Sequence, residues 1–176
     1  MKKISSKQLT KVDNKYHYII NKNYDGVFGF GEKFDSPNEK GKFVRAIVKE
    51  KCFYQGECTY LSMPFFFTNN GFGVYVDTYV EVDFDFTKEG VIDISFEDDS
   101  FKSEIFLYYF EGSPKEILTQ FRSIVGFPKL FPKWALGSWM SANRWNKQDD
   151  VLEQVELNKK TYGIKTSDTY PHEYTM

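Results

Sequence analysis

Cysteine and histidine are both scarce. The 176-residue chain has two of each, Cys52 and Cys58, His17 and His172. The run Cys52-Phe-Tyr-Gln-Gly-Glu-Cys58 has neither zinc-ligand nor redox spacing, so thiols kept reduced in a cytoplasm are expected. His17 and His172 lie far apart with no ligand-spaced partners, so no metal site and no cofactor are expected. Long apolar runs are missing as well: none approaches the ~20 residues of a membrane span. The opening Met1-Lys-Lys-Ile-Ser-Ser-Lys-Gln-Leu-Thr10 has lysines but lacks the apolar core of a signal peptide. These absences together lead us to expect a cytoplasmic, soluble protein with no membrane contact. No charge of one sign dominates either. A formal net charge of -2 argues against nucleic acid as a partner.

Aromatic residues are abundant, at 19% of the chain, with 18 Phe and 12 Tyr. Two readings follow. Aromatics are ordinary strand residues and would fill a β-rich core; alternatively, their faces could stack on the apolar faces of sugar rings. At this length one domain, or one and a half, is the natural prior. A domain of this size buries roughly 70% of its unfolded surface, enough for a real core.

In chain order, residues 1–15 are polar and expected to fray. Residues 16–20 read as a strand. The stretch Tyr24-Asp-Gly-Val-Phe-Gly-Phe-Gly-Glu-Lys-Phe-Asp35 holds three glycines, which allow tight turns and close backbone approach. It lacks GxGxxG spacing, and no helix follows, so it is no phosphate loop. Glu32 and Asp35 are candidate pocket carboxylates, although carboxylates in such turns mostly face water. Residues 43–48 read as a strand and 49–59 as a loop. Two apolar runs around Asn69-Asn70-Gly71 form the strongest hairpin signal in the chain. Strict alternation places Val82, Phe84 and Phe86 on one strand face, and Ile92, Ile94 and Phe96 on the next. Residues 101–110 read as a further strand. Short strands in such succession suggest a sandwich.

The period then changes. Ser113-Pro-Lys-Glu116 is a helix start, with Ser as N-cap, Pro at the first position and Glu at the third. Ile117, Leu118, Phe121, Ile124 and Val125 follow at helical spacing, and Gly126 stops the helix. Residues 126–133 supply a linker. Residues 134–140 read as a buried strand leading into the polar-aromatic loop 141–145. A second helix follows, with Asp149 and Asp150 early and Lys159 and Lys160 late, as the helix dipole prefers. A strand that delivers a loop into a helix is the βα step of a parallel fold, and ligands sit at the carboxyl ends of such strands. Asn143, Arg144 and Trp145 are therefore candidate site residues.

The segments GFGEKFD, MPFFFTNNGFGVYVDT, YYFEGSPKEILTQFRSIVGFPKLFPKWALGSWMSANRWN and YGIKTS resemble glycoside hydrolase family 31, the α-glucosidases, α-xylosidases and related enzymes. The resemblance spans about residues 24–167. It implies a mainly β chain: a galactose-mutarotase-like β-sandwich over 1–112, incomplete at its start, then a connector helix and linker over 113–133. The first βα unit of a truncated (β/α)8 barrel would occupy 134–176. A complete barrel needs about 250 residues, far more than follow Phe131. The family's carboxylate nucleophile and general acid lie on later barrel strands, and no stretch here matches those motifs. A retaining glycosidase needs that pair about 5 Å apart. Glu32 and Asp35 belong to the sandwich and are not that pair. The chain is thus expected to be an N-terminal fragment of an α-glycosidase, inactive alone.

The resemblance also implies sugar-side roles: Asn143, Arg144, Trp145, Glu32 and Asp35 would border an α-linked oligosaccharide or glycoside, held weakly. The loop over 49–59 would reach the pocket but lacks the Arg-Asp pair of some members. Self-association, or pairing with a separately encoded barrel half, is the expected partnership. The competing reading is a stand-alone carbohydrate-binding or interaction sandwich. The βα unit over 134–163 discriminates, because a binding module has no use for it.

Overall fold

The structure, a computed structural model, describes residues 1–49, 59–136 and 145–162. The chain forms two compact units, Met1–Phe127 and Pro128–Met176. The first holds ten strands: β1 (Lys2–Ser5), β2 (Thr10–Val12), β3 (Lys15–Asn21), β4 (Val27–Gly31), β5 (Phe43–Ala46), β6 (Ser62–Thr68), β7 (Phe72–Asp77), β8 (Val82–Asp85), β9 (Val91–Phe96) and β10 (Phe106–Glu111). They build two five-stranded sheets, ordered β1-β10-β7-β6-β4 and β2-β3-β9-β8-β5, and every strand pair is antiparallel.

Alternation puts the core between the sheets. Val74, Val76 and Leu107 of the first sheet meet Val82, Ile92 and Ile94 of the second in one apolar cluster. Phenylalanine fills its middle. Phe30 lies edge-on to Phe84 with centroids 5.1 Å apart, and Phe66 lies edge-on to Phe86 at 5.3 Å. Edge-to-face rings add about 0.5–1.5 kcal/mol per pair beyond burial alone. Much of the aromatic content is thus strand and core material.

The hairpin forms where the Asn-Asn-Gly signal places it, with Gly71 at φ +85°. Its side chains also reach outward: the Asn69 and Asn70 oxygens accept the backbone N–H of Gly26 (2.9 Å) and Asp25 (2.8 Å). Helix α1 (Pro114–Val125) begins at Ser113, whose hydroxyl accepts the Glu116 N–H, while the Glu116 carboxylate accepts the Ser113 N–H at 2.8 Å. Gly126 ends it at φ +100°. The helix lies on the outer face of the first sheet, where Ile117 and Phe121 join Phe65 and Phe110 in a second apolar cluster.

Three expectations need correction. Residues 1–15 are not frayed: β1 pairs with β10, Ile4 is buried in the core, and β2 pairs with β3. The strand expected over 101–110 starts only at Phe106, because Asp99 captures the Phe101 N–H at 2.8 Å and turns the chain. The strand expected over 43–48 ends at Ala46, and Val48 makes only an isolated bridge to Thr59.

In the second unit, Lys133–Leu136 form one 3-10 turn at the start of the segment read as a strand, and residues 137–144 lie outside the described ones. Helix α2 (Gln148–Tyr162) forms where expected, with Asp149 and Asp150 in its first turn and Lys159 and Lys160 in its last. Val151, Leu152 and Leu157 on this helix are exposed. Among the described residues, no helix is long and apolar enough to cross a membrane.

Candidate functional site

The turn that carries Glu32 and Asp35 is shaped by a bulge in the β4–β6 pairing, where Phe30 of β4 faces the longer stretch 63–65 of β6. Gly29 pairs with Phe66 and Gly31 with Ser62, so the register slips between them. The opposing stretch of β6 contains Pro64, which has no N–H to donate. Three successive residues adopt positive φ: Gly29 at 133°, Phe30 at 66° and Gly31 at 82°. A Cβ on Gly31 would sit 1.8 Å from the Leu61 carbonyl oxygen, so only glycine fits there. Phe30, a bulky residue in a strained conformation, is compensated by burial: its ring is 1% exposed among the core phenylalanines. Bulges of this kind re-aim side chains at the ends of strands.

Beyond the bulge the chain leaves the sheet. The Glu32 N–H donates to the Leu61 carbonyl at 3.0 Å, and its carboxylate is exposed. Asp35, also exposed, lies 3.3 Å from Lys42 Nζ. The same ammonium is 3.1 Å from Glu39, which is only 2% exposed. Lys42 thus bridges two carboxylates. Partial burial pushes the Asp35 carboxyl up, but the backbone N–H groups of Ser36 and Asp35 itself, then Lys42 and Lys33, outweigh it and hold the group below the usual carboxylate range. The turn is tied down elsewhere too. Asn38 Oδ1 accepts the N–H of Val27 (3.0 Å) and of Lys40 (3.1 Å), and Ser36 Oγ donates to the Asn38 carbonyl at 2.9 Å.

Two grooves flank this turn. One, of about 350 Å³, is lined by charged groups including Lys33, Asp35, Glu39, Lys42 and Arg45. The other, of about 520 Å³, is lined by Phe28, Phe34, Pro37 and Phe67 with Gly29, Gly31 and Asp35. A larger groove, about 570 Å³, runs beside β1, β2 and β3 between Ile4, Leu9, Val12 and Ile19 and holds none of the predicted site residues.

Of the predicted residues, Glu32 and Asp35 therefore share one rigid turn in the first unit. Trp145 is half-buried in the second unit, while Asn143, Arg144 and most of the 49–59 loop, with Cys52 and Cys58, lie outside the described residues. Asp35, held ionised, accepts hydrogen bonds but is poorly suited to donate a proton. No cluster among the described residues could hold a metal ion. Sequence reading missed Asn38, Glu39 and Lys42 as the frame of the turn. It also missed the Phe28 and Phe67 rings, although the alternation of Val27-Phe28-Gly29 and Phe65-Phe66-Phe67 was a usable signal for their outward direction.

The two antiparallel sheets with an outer helix are a galactose-mutarotase-like β-sandwich. Residues 5–85 match the Glycosyl hydrolase 31 N-terminal galactose mutarotase-like domain. It is similar to an isomaltosyltransferase of Sporosarcina globispora, 30% identical over 81% of this chain and 13% of the relative. A 1,3-alpha-isomaltosidase of Kribbella flavida is 30% identical over 77% of this chain and 19% of its own length. Among solved structures, the cycloalternan-forming enzyme from Listeria monocytogenes, in complex with a pentasaccharide substrate, superposes with a TM-score of 0.73 at 31% identity. That match covers 84% of this chain and 14% of that one. The chain thus spans less than a fifth of the length of each of these proteins.

Proposed function

We propose that this chain is the N-terminal, sugar-facing part of an α-glycosidase, supplying scaffold and rim contacts but not the catalytic carboxylates. The division into sandwich (1–112), connector and linker (113–133) and first barrel βα unit (134–176) belongs to this reading, as does a reducing, cytoplasmic setting for Cys52 and Cys58. The observation that carries it is the family match over residues 5–85, on a fold whose one predicted site turn holds Asp35 ionised. Hydrolysis of an α-glycoside needs a carboxylate beneath the anomeric carbon and an acid beside the leaving oxygen. Glu32 and Asp35 sit in a sandwich turn, and Asp35 is tied to Lys42. Their role is to accept hydrogen bonds from sugar hydroxyls at the rim, with Asn143, Arg144 and Trp145 on the barrel side. The partner of the sandwich is the remainder of such an enzyme, on the same chain or separately encoded, or a second copy.

The test is direct. The purified chain, incubated with p-nitrophenyl α-glucoside or α-xyloside, should release no p-nitrophenol above background. Sustained turnover that disappears in Glu32→Gln or Asp35→Asn would falsify the assignment of these residues to a non-catalytic rim.

A further inference from the structure

The aromatic groove beside the turn continues the outer-face cluster that docks α1, since Phe67 packs against that cluster on one side and lines the groove on the other. Phe28 and Phe67 face each other across β4 and β6, with centroids 5.7 Å apart and ring planes 31° apart. Both point away from the core and are half-buried, so together they form a nearly continuous two-ring shelf. Phe34, 55% exposed, stands at its border. Gly29 and Gly31 line the groove as well, and a Cβ on either would strike a backbone carbonyl, that of Phe65 or of Leu61. Asp35 lines the same groove and is held ionised.

We propose that this shelf binds an α-linked saccharide, two neighbouring sugar rings lying on Phe28 and Phe67 with Phe34 at the side and Asp35 accepting a hydroxyl. The chemistry favours this occupant. Flat apolar rings next to a fixed carboxylate match a ligand with apolar C–H faces and a hydroxyl edge, as in sites where a few placed polar groups orient a ligand on an aromatic lining. An added peptide strand fits less well, because the free edge of β4 is already taken at Val27, whose N–H goes to Asn38 and whose carbonyl accepts the Glu39 N–H. The choice of α-linked sugar rests on the α-glycosidase reading; the existence of a sugar shelf does not. Open to solvent on one side, the site should bind on the order of 1 mM.

Amide and aromatic NMR titration of the full chain with isomaltose and maltose tests this, with cellobiose as the β-linked control. The expected result is saturable shifts at Gly29, Gly31 and the Phe34 ring. Phe34→Ala should raise Kd about fivefold or more, the loss usual for an aromatic anchor. Asp35→Asn should weaken binding while leaving the shifts on the same residues. Phe34 is exposed, so Phe34→Ala should keep the wild-type melting temperature and test binding without unfolding. No response to any of the three sugars, or undiminished binding in Phe34→Ala, overturns the site. Equal affinity for cellobiose overturns the α-linked assignment. Hydrolysis of p-nitrophenyl glycosides is a separate readout, so loss of the non-catalytic reading and loss of this site are told apart.

Discussion

Asp83 shows how single residues hold the outer surface of the second sheet. Its neighbours Val82 and Phe84 enter the core, so Asp83 must point outward, yet it is only 5% exposed. Lys15 Nζ lies 2.8 Å from one carboxylate oxygen and Arg45 Nε 2.8 Å from the other, and Arg45 also pairs with Glu81 at 2.6 Å. Their alkyl stems cover the carboxylate while their charges stay partly in water. Burial pushes Asp83 up, but Lys15 and Arg45 outweigh it and hold the group below the usual carboxylate range. A carboxylate depressed in the folded state contributes stability that is present above the unfolded value and lost as pH falls through the folded one. Asp83→Asn should therefore cost about 1.5–3 kcal/mol at neutral pH, the value of hydrogen bonds to charged groups. The gap to the wild type should shrink below about pH 4, where the unfolded carboxylate protonates. Urea melts of both proteins at neutral and acid pH measure this; an equal gap at both would show that the charge is not what stabilises. None of this network was legible in the sequence. Lys15, Arg45 and Asp83 come from three strands of one sheet, and no local pattern encodes cross-strand neighbours. The turn glycines were legible as turn formers, but the need for glycine at 31 comes from the Leu61 carbonyl on another strand.

At the scale of elements, helix α1 was readable to its ends because its signals are local. Ser113, Pro114 and Glu116 fix the start through hydrogen bonds within one turn, and Gly126 fixes the stop. The hairpin was readable for the same reason. The first strands were not. Residues 2–5 and 10–12 are short and polar, and they become strands only by pairing with β10 and β3. The bulge between β4 and β6 was hidden as well, since it depends on the extra residues of β6 around Pro64 and on their pairing with a distant strand. What docks α1 is an aromatic stack: Phe121 lies parallel to Phe65 with centroids 4.0 Å apart and meets Tyr75 edge-on at 5.2 Å. Burial, and then the Asp77 carboxylate that accepts its hydroxyl, push the Tyr75 phenol up to about 12, so it stays neutral at ordinary pH. Phe121→Ala should cost about 3–5 kcal/mol, the range for removing a buried phenyl ring. A change below about 0.5 kcal/mol, usual for surface positions, would mean that the helix is not held by this ring.

For the first unit as a whole, one end is apolar where it should be wet. The strand registers bring the end of β4 to the start of β6, and the end of β7 to the start of β10. Phe34, Leu61 and Met63 are exposed at the first of these junctions, and Tyr79 and Phe101 near the second, at 77% and 81%. The last two are not loose. Asp99, buried, accepts the Thr78 hydroxyl (2.8 Å) and the N–H groups of Tyr79 (3.0 Å) and Phe101 (2.8 Å), which pins both loops. The rings meet edge-on with centroids 6.3 Å apart. Aromatic side chains fixed in advance lose little conformational freedom on contact and make effective anchors. An exposed apolar patch of this kind favours association. In the isolated chain this end should meet another copy. Light scattering coupled to size-exclusion chromatography should therefore show an apparent mass that rises with concentration. Combining Tyr79→Ser with Phe101→Ser should suppress that rise without lowering the melting temperature, because both rings stand outside the core. Should the wild-type chain stay monomeric at every concentration, or the double variant associate equally, the apolar end is not the contact.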